Sequence, residues 1–141
     1  MRLAVVTAAL ACAAVVALPA GAAPRGNGAW ADQANKVCSV WLAKAKKEFG
    51  KPVTPAQLYA FAHKAQSLET QELAALEKIP GRTDAGGAAL AAVRVDITEL
   101  GSAIAAWDHG KPAQFITILK RYLNDERPKS AFAIAGATQC G

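Results

Sequence analysis

Residues 90–107 read LAAVRVDITELGSAIAAW. Within them Leu90, Val93, Ile97, Leu100, Ile104 and Trp107 recur at alternating steps of three and four. That heptad repeat stacks side chains along one stripe of an α-helix and has no counterpart on a strand, whose period is two. Thr83 or Asp84 can cap the start of this helix, and His109-Gly110 supplies the residues that favour its end. One amphipathic helix cannot bury its stripe alone, so the flanking sequence must provide partners.

It provides three. Upstream, Thr54-Pro55-Ala56-Gln57 joins an N-cap hydroxyl, a proline at the first helical position and a Gln three residues after the cap. The helix it opens carries Leu58, Phe61, Ala62, Ala65, Leu68, Leu73, Leu76 and Ile79 on one face and stops at Pro80-Gly81. A helix from about Ala29 to Phe49 carries Trp30, Ala34, Val37, Trp41, Ala45 and Phe49, and ends at Gly50 and Pro52. A fourth, from about Pro112, carries Phe115, Ile118, Leu119, Tyr122 and Leu123; Pro128 kinks it or separates it from a last turn through Ser130 to Ala135. Short loops make neighbouring helices antiparallel, so the expected fold is all-α, an up-down-up-down four-helix bundle with its fourth helix kinked or broken near Pro128.

Residues 1–22 have the layout of a secretory signal peptide: Arg2, an apolar run from Leu3 to Leu18, Pro19, and the small-residue site Ala20-Gly21-Ala22. Residues 23–28 read as a disordered N-terminal segment, and 29–141 as a single helical domain. Of the three cysteines, Cys12 falls in the leader, where lipid attachment is the less favoured use for it. Cys38 and Cys140 are left to pair in an oxidising compartment. The bundle topology predicts the same bond independently, because it returns the chain's end to the first helix. No second apolar stretch approaches the length of a bilayer span.

The chain has 141 residues and a formal net charge of +5. It has no Gly-rich phosphate loop, dinucleotide fingerprint, nucleophile elbow or nucleic-acid motif, and no residues are expected to be catalytic. Three polar groupings stand out. Lys44, Lys46, Lys47 and Lys51, with Lys111 brought to the same pole, form a basic surface suited to an anionic envelope polymer or a protein partner. Tyr59 and His63, one helical turn apart, are a candidate ligand pair. Glu69 and Glu72 fall on the apolar face of the second helix, where a carboxylate is costly unless paired. The hairpin between helices two and three is expected to set Glu72 opposite Arg94 as a structural ion pair. No metal or cofactor is expected: the chain has no E-x-x-H motif and only two histidines.

With its leader, its Cys in the first helix and its ending Ala133-Ile134-Ala135-Gly136-Ala137-Thr138-Gln139-Cys140-Gly141, the chain resembles a loose class of small exported all-helical actinobacterial proteins of unassigned function that end in Cys-Gly. In its size and its Tyr/His pair it is also similar to the small exported haem carriers of mycobacteria. The expectation from these readings is a secreted, non-enzymatic helical binding protein of the cell envelope or extracellular space. The alternatives are a haem-type small-ligand carrier using Tyr59 and His63, and an enzyme built on Glu69 and Glu72.

Overall fold

Thr54 and Gln57 fix the start of the second helix by a reciprocal exchange. The Thr54 hydroxyl accepts from the Gln57 N–H at 3.2 Å, and the Gln57 Oε1 accepts from the Thr54 N–H at 3.1 Å. This capping box satisfies backbone donors that would otherwise be orphaned at the helix end. Thr83 plays the same part for the third helix, its hydroxyl accepting from the Gly86 N–H at 3.2 Å, so Thr83 and not Asp84 is the cap. His109 and Gly110 end that helix, with Gly110 at φ 68°, the left-handed conformation that only glycine adopts without cost.

The computed structural model describes residues 28–140, all in helices and connecting turns: α1 (Gly28–Glu48), α2 (Pro55–Glu77), α3 (Asp84–Asp108), α4 (Pro112–Leu123) and α5 (Arg127–Ile134). The expected signal peptide, Cys12 and almost all of the segment 23–28 lie outside these residues. The protein is an all-α helical bundle with a Cys38–Cys140 disulfide. None of the described helices is long and apolar enough to cross a membrane.

α3 is the central element and packs on α2, α4 and α5, while α1 packs chiefly on α2. α3 has 25 residues and α4 only 12, so at 1.5 Å per residue α4 covers about half of it. α5 covers the other half. The expected break therefore lies at Asn124–Glu126, just before Pro128, which sits in the first turn of α5, where its missing N–H costs nothing. The Asp125 carboxylate accepts from the Arg127 N–H at 2.8 Å and holds that turn.

The core is divided in two. At one end Trp30, Ala34, Cys38, Leu73, Leu76, Leu90, Val93, Phe132 and Cys140 are buried together. At the other, Ala62, Ala65, Leu100, Ile104, Phe115 and Leu119 are buried, with Phe49, Phe61, Tyr59 and Trp107 packed against them. Gly86 permits the first cluster: a Cβ there would lie 3.2 Å from the Trp30 ring and 3.0 Å from the Arg82 stem. The C-terminal tail is fastened to α1 next to the disulfide by Asn35, whose Oδ1 accepts from the Gln139 N–H at 2.8 Å.

The disulfide joins residues 102 apart in sequence, so it removes much of the freedom of the unfolded chain. Replacing both cysteines by Ser is expected to lower stability by up to about 4–5 kcal/mol while leaving the helix content unchanged. Urea unfolding followed by circular dichroism measures it; an unchanged midpoint would show that restricting the unfolded chain through this bond does not stabilise the fold.

Candidate acidic cleft

Between the two apolar clusters lies a layer of carboxylates. Glu69 and Glu72 project from α2, Asp96 and Glu99 from α3, and Asp125 from the turn between α4 and α5. Because α4 stops halfway along α3, the gap it leaves opens a cleft of about 370 Å³ onto Glu69, Glu72, Asp96, Asp125 and Tyr122.

Asp96 is the most confined of these groups. Its residue surface is only 7% exposed, and its Oδ1 has no hydrogen-bond partner. It stands three residues after Val93 and four before Leu100, both buried, so helical spacing puts it on the core-facing side of α3. Sequence reading that followed the Leu90–Trp107 heptad passed over it; the signal was a second row on α3, formed by Ala89, Val93, Asp96, Leu100 and Ala103. Glu69 accepts a hydrogen bond from the Tyr122 hydroxyl, while its Oε2 has no partner.

The cleft's charges are unevenly compensated. Asp125 is bound by the Arg127 guanidinium, which together with Arg121, 3.0 Å away, also reaches Glu99. Lys129 pairs with Glu126 at the rim. Among the described residues Glu69, Glu72 and Asp96 have no cationic partner.

The titration of these groups follows from that environment. Burial pushes the Glu69 carboxyl up to about 7, against a smaller opposing effect of the Tyr122 hydrogen bond. Burial and the neighbouring Glu69 charge bring Glu72 to about 7. Burial, then the hydrogen bond and charge of Asp125 and the charge of Glu69, bring Asp96 to about 7, with Arg127 acting in the opposite sense. Tyr122 is displaced upward too, by burial and the surrounding carboxylates. Asp125, held by Arg127, lies lower, at about 2.

The expected Glu72–Arg94 ion pair does not form: Arg94 binds Glu77 instead. Glu72 faces the cleft and lies on the inner side of α2, whereas Arg94 is on the exposed side of α3 and takes the exposed carboxylate within its reach. Inward orientation of Glu69 and Glu72 was legible in the sequence; what they face was not.

Tyr59 and His63 are brought together as an aromatic contact. The His63 ring meets the Tyr59 ring edge-on at 4.6 Å, and Tyr59 stacks on Trp107 at 5.4 Å. The Tyr59 hydroxyl donates to Asp108 at 2.6 Å, and that hydrogen bond raises its pKa. Neither side chain lines the cleft or the cavities at Lys51 and Trp41.

Of the basic surface, Lys46 and Lys47 lie in the last turn of α1, and Lys51 and Lys111 are exposed at the same pole. Lys44 instead sits over the Trp41 ring, 3.8 Å from its centroid. Lys64, not singled out by the sequence, joins Lys51 around a cavity of about 220 Å³ beside Phe49 and Phe61.

No protein-family model matches the chain, and neither a curated protein nor a solved structure is similar to it.

Chemically, the cleft can accept protons or bind cations. Among the described residues no group of three or more His, Cys, Asp or Glu is arranged to hold a metal ion, because the carboxylates line the walls of a space instead of converging on a point. Such a space suits an organic cation whose N–H groups point in several directions.

With Glu69, Glu72 and Asp96 raised from 4.5, 4.5 and 3.8 to about 7, the folded chain holds their protons more tightly than the unfolded chain. Their contribution is fully favourable below about pH 4 and is lost as pH rises to about 7. Asp125 acts in a separate window, stabilising above 3.8 and losing that effect as pH falls toward 2. The Tm is therefore expected to be higher at pH 5 than at pH 8. Glu69→Gln with Glu72→Gln should flatten this dependence and raise stability at pH 8 by about 1–2 kcal/mol, less than the full linkage value because water screens the cleft's open side. Calorimetry across pH 4–9 is the check; equal slopes in both proteins would show that these carboxyls titrate normally.

Proposed function

We propose that the protein is a non-enzymatic, extracellular binding protein whose acidic cleft takes a small organic cation. The observation that carries this is Asp96: a carboxylate 7% exposed with an unpartnered oxygen, in a cleft where Glu69 and Glu72 also lack a cation. Buried carboxylates without a cationic partner cost several kcal/mol when ionised, and a bound ammonium or guanidinium offsets that cost by direct charge-assisted hydrogen bonds. The disulfide supports a location on the oxidising side of the membrane, in keeping with the leader-like residues 1–22.

A cation favours the ionised carboxylates, so binding releases protons, and affinity rises as pH passes upward through about 7. Titration of the protein with n-butylammonium, followed by amide chemical shifts, is expected to perturb residues around Glu72, Asp96 and Tyr122, more strongly at pH 8 than at pH 6. Asp96→Asn with Glu72→Gln should remove the effect. Shifts spread evenly over the surface, or retained in that variant, would overturn the assignment.

A second surface role has its own support. Lys46, Lys47, Lys51, Lys64 and Lys111 have no salt-bridge partner among the described residues, and they outnumber the carboxylates at that pole, Glu48 and Asp108. The pole would hold the protein against an anionic envelope polymer. Retention on a sulfated polysaccharide matrix that falls with salt, and is lost in Lys46→Glu with Lys47→Glu, is the expected result.

A further inference from the structure

The gap left by α4 is one of two openings onto Glu69 and Glu72. On the other side of α2, a groove of about 230 Å³ runs between α1, α2 and α4, and its walls are largely apolar: Trp41, Leu42, Ala45, Phe49 and Leu68. Leu42 is 47% exposed, a large side chain left in contact with water where a closed bundle would cover it. The groove exists because α1 packs chiefly on α2, and the disulfide and Asn35 fasten α1 to the rest of the chain only through the C-terminal tail. Toward the opposite pole, α1 and α4 make no extensive contact.

The apolar groove and the acidic cleft have a common wall. Glu69, Glu72 and Tyr122 line both. One end of the groove is therefore uncompensated negative charge, with the buried, unpartnered Asp96 oxygen in the cleft behind it, and the rest is hydrocarbon and aromatic surface.

We propose that groove and cleft together form one bipartite site for a cationic amphiphile: an alkyl or aryl body along α1 and an ammonium or guanidinium head at Glu69 and Glu72. This rests on the cation-binding reading of the cleft and adds the apolar part of the ligand. Charge complementarity fixes the head at the shared wall, because a carboxylate or phosphate head would meet like charge there and a neutral one would leave the carboxylates unpaired. The body follows the groove: the cleft's own lining mixes Val93, Leu123, Pro128 and Phe132 with the charged Asp125, Glu126 and Lys129, whereas beyond Glu69 and Glu72 the groove is lined by Trp41, Leu42, Ala45, Phe49 and Leu68. Trp41, one face of whose ring is covered by the Lys44 ammonium, lines the groove beside Leu42 and offers the body aromatic surface.

The test compares n-butylammonium with n-octylammonium below its micelle concentration on the full mature chain with its disulfide intact. Each methylene buried in the groove is expected to tighten binding about fourfold, so the octyl compound should bind on the order of a hundredfold more tightly. It should also shift the tryptophan emission, and that shift should disappear in Trp41→Phe, which leaves Trp30 and Trp107 in place. Leu42→Gln, on the rim of the groove and away from the core, should reduce octylammonium binding severalfold and leave butylammonium unaffected.

Equal affinities for the two amines would overturn the bipartite site and leave the cation site standing. If neither bound, both readings would fall. Octyl sulfate binding as tightly as octylammonium would also overturn the proposal, since the carboxylates would then have no part in choosing the ligand.

Discussion

The structure turns on one constraint: the fourth position of the bundle is filled by two short helices in place of one long one. Asn124–Glu126 and the proline at position 128 interrupt the helix opposite the middle of α3. An unbroken helix would have covered α3 from end to end and buried Asp96 against hydrocarbon, at a cost of several kcal/mol against a net stability of about 5–15 kcal/mol. The break lets water or a ligand reach the carboxylates. It also divides the core, because the polar layer interrupts the apolar packing that would otherwise run from Trp30 to Phe115.

The two halves of the core are then held in different ways. At the Trp30 end α1 and the C-terminal tail are joined covalently through Cys38 and Cys140, reinforced by Asn35 and by the close approach of Gly86 to the Trp30 ring. At the Phe115 end cohesion comes from aromatic packing, with Tyr59 stacked on Trp107, Phe115 against Trp107 at 5.2 Å and Phe49 against Phe61 at 4.9 Å. Such contacts add about 0.5–1.5 kcal/mol each to the area they bury. Nothing comparable ties α1 to α4, and the groove along Trp41 and Leu42 is the consequence. A bundle fastened at one pole and open at its side is well suited to admit a ligand without unfolding.

Charge is segregated in a way that total composition hides. A net charge of +5 suggests a protein that acts through its lysines, yet the least satisfied charges are the inward carboxylates. Arg121 and Arg127 compensate Glu99 and Asp125 and thereby sharpen the contrast with Glu69 and Glu72 on α2 and Asp96 on α3, which line the same cleft. Burial raises all three, and the Glu69 charge adds to the shifts of Glu72 and Asp96, so their protonation and the stability of the fold are linked over the same pH range.

The sequence by itself determined the first three helices, the Thr54 capping box and the pairing of Cys38 with Cys140, and left open whether Thr83 or Asp84 caps α3 and whether Pro128 kinks or breaks the fourth helix. The determined features depend on local backbone chemistry and on a 3.6-residue period, both read along one chain; Thr54, Gln57 and Gly110 act where the sequence puts them. It also marked Glu69 and Glu72 as inward, since helical spacing alone decides the face. Only the tertiary structure decided what those carboxylates meet. The hairpin register gave Arg94 to Glu77, and Asp96 became a wall of the cleft because α4 ends short of it. Tyr59 was committed to Asp108 and Trp107, side chains on a neighbouring helix whose distance no periodicity encodes. Periodicity fixes the direction a side chain takes from its own helix axis. Which group stands opposite depends on the axial offset and rotation of two helices, and these are set by the summed packing of the whole core.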